Sequence, residues 1–129
     1  MTSQSSTTDD RIHGECNCGA IKISIQTSQF PTRCTMCHCL NCRASSVEVT
    51  GNTRVWTDKA ESGRSSDRHF CGDCGSPIMT VVRERPSNTF VKGGLFKKFG
   101  VNLPEPWAQL FVRRREPWEV GIEGVHELN

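Results

Sequence analysis

The chain has 129 residues, a formal net charge of +2 and 35% hydrophobic residues, eight of them cysteine. This length supports one compact domain with a modest core, and the near-neutral charge gives no ground for nucleic acid or an anionic membrane as an obligatory partner. No apolar run approaches the length that spans a bilayer.

Residues 1–11, MTSQSSTTDDR, are polar and have no apolar stretch, so they read as a disordered leader rather than a secretory signal or membrane anchor. A single domain is expected over 12–129, in the cytoplasm with the nucleus as the alternative. In such a reducing compartment eight cysteines are metal ligands rather than disulfides. From Ala20, Ile21, Ile23 and Ile25 alternate with Lys22, Ser24 and Gln26, the period of a half-buried strand. Further strands are expected at 33–37, 53–56, 67–70, 77–82, 89–91 and 108–113, separated by GN, SG, GDCG and PSN turn signals.

Helical signals are confined to a turn after Cys42, in RASS, and another near Lys97. The late segment LPEPWAQLFVRRREPW reads as an edge strand between prolines, where a missing ladder donor is tolerated. Its run Arg113, Arg114 and Arg115 alternates faces on a strand and reads as a solvated edge rather than an anion patch. The fold class is all-β, built from small antiparallel sheets.

The cysteines form three groups: Cys16 and Cys18 in CNC; Cys34, Cys37, Cys39 and Cys42 in CTMCHCLNC; and Cys71 and Cys74 in CGDC. A C-x-C pair on an extended segment puts both thiolates on one face. A C-x-x-C followed by glycine is a tight turn that gathers two sulfurs and several N–H groups around one ion. Cys16, Cys18, Cys71 and Cys74 together supply the four ligands of a structural zinc; the plainer alternative is a set of buried thiols. In the middle group, an extended TRCTMCHC puts Cys37 and Cys39 on one face and Cys34 on the other. A turn at Leu40 and Asn41 then returns Cys42 to the pair. Three thiolates with one open position describe a reactive zinc, with Cys34 a small buried side chain unless a bulge swings it in as a fourth ligand.

GECNCGAI, CHCLNCR and RHFCGDCGSPI, in this order, resemble the glutathione-dependent formaldehyde-activating enzyme family, which includes the centromere protein V relatives. The resemblance runs from His13 to the terminal VRRREPWEVGIEG. It implies a β-tent stapled by two zinc ions per chain, one structural at Cys16, Cys18, Cys71 and Cys74 and one exchangeable at Cys37, Cys39 and Cys42. The implied activity is a carbon–sulfur lyase resembling S-hydroxymethylglutathione synthase, with a related hydrolase as the neighbouring chemistry. The implied partner is a small molecule, glutathione or another thiol, with neither membrane nor nucleic acid involved. The alternatives are a non-catalytic zinc-stapled binding module and an inactive paralogue with a shortened pocket.

Two departures from the family pattern fall where a substrate pocket is expected. The chain passes from Ser46 directly to VEVTG, where relatives carry a longer stretch, and Phe96 and Lys97 follow the GGL turn where relatives tend to place an acidic residue. His38 and His69, beside the cysteine motifs, read first as packing or solvent-facing groups and secondarily as groups that orient a thiolate. Arg43 and Arg68 flank the motifs as candidates to hold a carboxylate.

Overall fold

In the computed structural model the described residues are 10–32, 34–35, 39–109, 113 and 115–128. They are mostly strand, in small sheets around one core, and the helical content is limited to short 3-10 segments. The all-β expectation therefore holds.

The first sheet joins β1 (Arg11–Glu15), β2 (Lys22–Gln26) and β5 (Val47–Thr50), with antiparallel pairing on both sides of β2. The strand therefore begins inside the stretch expected as leader. Ile21, Ile23 and Ile25 are all but fully buried, as their alternation indicated. Ser24 is buried between them because Arg11 reaches across to it: Nε donates to Ser24 Oγ at 2.7 Å, and Nη2 donates to the carbonyls of Ser24 and Ser46 at 3.0 and 2.9 Å. One guanidinium thus ties β1 and β2 to the 3-10 turn at Ala44–Ser46, the RASS turn of the sequence.

The second sheet has five antiparallel strands in the order β4 (Cys39–Arg43), β9 (Asn88–Lys92), β8 (Pro77–Val82), β7 (Ser65–Cys71) and β6 (Thr53–Lys59). Residues directly opposite in such pairs share a face. The register Trp56↔Arg68, Arg68↔Thr80 and Thr80↔Phe90 therefore sets those side chains on one face, while Met79, Val91 and Leu40 lie on the other, against the core. Asp67 also lies on this second face, where it accepts from Thr57 Oγ1 at 2.8 Å and from Arg83 Nε at 3.1 Å.

The third sheet departs from the sequence reading. β10 (Pro106–Gln109) is its centre, paired in parallel with β3 (Cys34–Thr35) on one side and β11 (His126–Glu127) on the other, rather than an edge. Pro106 is accommodated because it opens the strand, where the ladder needs no N–H from it. The rest of the 108–113 expectation lies mainly outside the described residues. Arg115 beside it is no solvated cation: its Nη2 donates to Glu127 Oε2 at 2.6 Å and to Gln109 Oε1 at 3.2 Å.

The sequence signal near Lys97 corresponds to a 3-10 segment, Gly93–Phe99, which buries Leu95 and Phe96; Phe30 meets Phe96 edge-on at 5.6 Å. Gly14 on β1 lies directly beneath it. A Cβ there would stand 2.7 Å from Leu95 O and 2.9 Å from Phe96 Cδ1, whereas one on Gly94 would meet nothing within 4 Å.

Gly14→Ala is expected to lower unfolding free energy by about 1–3 kcal/mol through overpacking, with Gly94→Ala near neutral; urea unfolding of the two variants checks it. Asp67 gives a second test. Arg83 and then Thr57 hold its carboxyl below the ordinary aspartate range, so its contribution is present above the unfolded value of about 4 and fades as pH falls through the folded value. Asp67→Asn should therefore lower Tm at pH 7, with the gap to the parent closing as the pH drops below about 4.

Candidate metal centre

Two turns of similar design meet at the end of the first sheet. In the first, which follows β1, Cys16 N donates to Ile21 O at 3.1 Å and Gly19 N returns to Cys16 O at 3.0 Å. In the second, which follows β7, Cys71 N donates to Ser76 O at 2.9 Å and Gly75 N to Cys71 O at 2.8 Å. Gly19 and Gly75 adopt φ of 80° and 78°, the left-handed region that glycine enters without cost. Each turn thus curls its backbone around the sulfur of its first cysteine. Ile21 N donates to Cys16 Sγ at 3.3 Å; Asp73 N and Cys74 N donate to Cys71 Sγ at 3.4 and 3.5 Å.

Across the junction Asn17 N donates to Ser76 Oγ at 3.3 Å. The four sulfurs of Cys16, Cys18, Cys71 and Cys74 lie within 4.8 Å of one another, with Cys16 to Cys18 at 3.6 Å and Cys18 to Cys71 at 3.7 Å. A tetrahedron with Zn–S of about 2.3 Å has sulfur–sulfur edges of about 3.8 Å, so the donor set matches a tetrahedral thiolate site in type, number and spacing. Cys16 and Cys71 are buried while Cys18 and Cys74 face solvent, so the cluster is a corner of the core with one open side.

The electrostatics favour thiolates at two of the four positions. The Ser76 hydroxyl, with backbone donors, pulls the Cys74 thiol down to about 5. Burial pushes Cys16 up, but the Ile21 N–H and the adjoining sulfurs more than offset it, and its net shift is downward. The Ala20 N–H favours a Cys18 thiolate, yet burial and three neighbouring sulfurs outweigh it and push that thiol up to about 12. A dication at the centre relieves this mutual repulsion and lets all four ionise.

Lys98 completes the surroundings, although nothing in the sequence distinguished it from Lys97. Its Nζ donates to Glu15 Oε1 at 2.8 Å and to the carbonyls of Cys16 and Asn17 at 3.1 and 3.3 Å. Lys22 and then Lys98 hold the Glu15 carboxyl down to about 2. A lysine ammonium is thereby fixed against the first turn, where it offsets the charge of a tetrathiolate. Ser76 was likewise invisible in the sequence, where it reads only as turn chemistry.

The middle cysteines are arranged otherwise. Cys37 and His38 lie outside the described residues. Residues 39–43 form the continuous strand β4 in place of the turn expected at Leu40 and Asn41. Positions 39 and 42, an odd three residues apart, fall on opposite faces of that strand. Position 39 pairs with Lys92, while Cys42 is buried in the hydrophobic cluster, where desolvation pushes its thiol up to about 11. Cys34 is also buried, and its thiol donates to Pro104 O at 3.0 Å. It borders a recess of about 650 Å³ whose rim carries Lys97 and Glu105. Among the flanking candidates, His69 Nδ1 meets Thr53 Oγ1 at 3.3 Å, Arg68 pairs with Asp58 at 3.3 Å, and Arg43 is exposed.

Removing the metal from the four-cysteine cluster should unfold the chain, since the binding free energy of a structural site is folding free energy. Circular dichroism during chelator titration is expected to show cooperative loss of the strand signal, and Cys71→Ser should reproduce it without chelator. An intact spectrum in both cases would remove the cluster from the folding account.

Among the curated proteins none matches this chain. A crystal structure of a Rhodobacter sphaeroides protein is similar at 18% identity and a TM-score of 0.49, over 72% of this chain and 98% of that one. The family model for the glutathione-dependent formaldehyde-activating enzyme matches residues 11–114, a span that includes all three cysteine groups. The chain therefore belongs to the glutathione-dependent formaldehyde-activating enzyme family.

Proposed function

We propose that the protein is a zinc-dependent carbon–sulfur lyase of the S-hydroxymethylglutathione synthase kind, acting on a small thiol and a carbonyl compound or on their adduct. The observation that carries this reading is the family match over residues 11–114, with the four-thiol cluster assembled inside it. In the forward sense the substrate sulfur bonds to the carbonyl carbon, and the thiol proton ends on the carbonyl oxygen. The reverse breaks the same bond.

Two zinc ions are assigned, the structural one to Cys16, Cys18, Cys71 and Cys74 and the reactive one to Cys37, Cys39 and Cys42. A zinc with three protein ligands and one exchangeable position supplies Lewis acidity to a thiol or carbonyl oxygen. The chain's own contribution begins with the recess bordered by Cys34, three residues before Cys37 in the sequence. Lys97 at its rim is placed to hold a substrate carboxylate, and Glu105 opposes a second carboxylate there. Cys42 joins the assigned ligands only if its thiol leaves the hydrophobic cluster, so metal binding there competes with the pairing of β4 on β9.

That burial of Cys42 also favours a second reading, a zinc-stapled binding module without catalysis. Metal analysis and a thiol-consumption assay with glutathione and formaldehyde separate the two. The catalytic reading expects two zinc per chain. Cys39→Ser should then hold one zinc, keep its fold and lose more than about 100-fold in kcat/KM. Cys42→Ser should lose the same zinc if Cys42 is a ligand, and keep it with a lowered Tm if Cys42 stays in the core. One zinc in the parent, or unchanged turnover in Cys39→Ser, rejects the catalytic reading in favour of the module.

A further inference from the structure

The face of the five-stranded sheet that turns away from the core carries a second recess, of about 550 Å³. That volume is within the range of sites for drug-sized ligands, about 300–1,000 Å³. Its lining combines two chemistries. Trp56 leaves 58% of its surface exposed, and Phe70 and Pro77 extend the apolar surface beside it. Arg68 and Lys92 supply two cations, and Thr80 a hydroxyl between their strands.

The sheet register makes this juxtaposition rather than chance rotamers. Trp56, Arg68 and Thr80 are successive cross-strand partners, so they stand in one row across β6, β7 and β8. Arg54 opposes Phe70 in the next row, and Lys92 extends that side of the face on β9. Among the described residues, Arg54, Arg68 and Lys92 bring positive charge to this part of the face and Asp58 brings a carboxylate. Asp58 holds Arg68 at 3.3 Å with both side chains substantially exposed, a contact weak enough in water to be shared with an incoming anion. An exposed indole beside a guanidinium, with an ammonium further along the same recess, recognises a flat ring through stacking and its acidic substituent through charge.

We propose that this recess binds a planar heteroaromatic anion of about mononucleotide size, its ring on Trp56 and its anionic group between Arg68 and Lys92. The proposal rests on the lining of this face and not on the reaction assigned above, although Lys92 is the cross-strand partner of position 39. Phe70 and Pro77 flank the Cys71–Ser76 turn, so the four-thiol cluster fixes one wall of the recess.

Titration of the zinc-loaded protein with adenosine 5′-monophosphate, followed by tryptophan fluorescence and calorimetry, tests the assignment. Adenosine and inorganic phosphate serve as the ring-only and charge-only probes. The nucleotide should bind at least about tenfold more tightly than either, since ring and charge act together. Trp56→Ala should weaken it at least about fivefold and Arg68→Gln about tenfold. Both side chains are exposed, so Tm should be preserved in both variants; Trp107→Phe should leave the affinity unchanged. Absence of nucleotide binding, phosphate binding as tightly as the nucleotide, or unchanged affinity in Trp56→Ala would overturn the proposal.

Discussion

The convergence of four sulfurs from two turns is the constraint on which the rest of the fold depends. Cys18 and Cys71 are 53 residues apart in sequence and 3.7 Å apart at their sulfurs. Closing a loop of that length costs entropy, and a domain of 129 residues with 35% hydrophobic content has a limited core with which to offset it. A metal bound by four thiolates concentrates the compensation at one point. Because Cys16 and Cys71 are also members of the hydrophobic cluster, the four-thiol cluster is continuous with the core.

That arrangement explains features that otherwise look unrelated. Lys98 reaches back to the first turn across more than eighty residues of sequence, and its ammonium is held by Glu15 on β1 and by two carbonyls of the turn itself. Gly14, just upstream, permits the 3-10 segment bearing Lys98 to lie against β1. Arg11 at the other end of β1 locks the connection between the first and second sheets. The three residues act on one short strand, so the placement of Cys16 and Cys18 is determined from both ends. The second turn is anchored by β7, whose other face presents Arg68 and Phe70 to the recess on the open side of the sheet.

Much of this was legible in the residues. The Ile21, Ile23 and Ile25 alternation marked β2, the expected strand at 77–82 coincides with β8, and the paired C-x-C and C-x-x-C spacings named the four sulfurs that the structure brings together. What could not be read was mainly topology. β1 and β4 have too few apolar residues in alternation to stand out, since RIHGE and CLNCR owe their strand form to cross-strand partners. The same limit produced the expected turn at Leu40 and Asn41: local chemistry permits it, but pairing with β9 replaces it with a straight strand. β10 misled for a similar reason, because flanking prolines suggest an edge and only the distant β3 and β11 reveal a centre. Lys98 and Ser76 carry no pattern at all; their roles come from where the chain folds back.

The most direct test of the central claim is zinc-edge X-ray absorption of the variant that combines Cys37→Ser, Cys39→Ser and Cys42→Ser. With the middle cysteines removed, the account predicts one zinc per folded chain, surrounded by four sulfur scatterers at about 2.3 Å. A folded variant with no bound zinc, or with nitrogen or oxygen replacing sulfur in the shell, would contradict it.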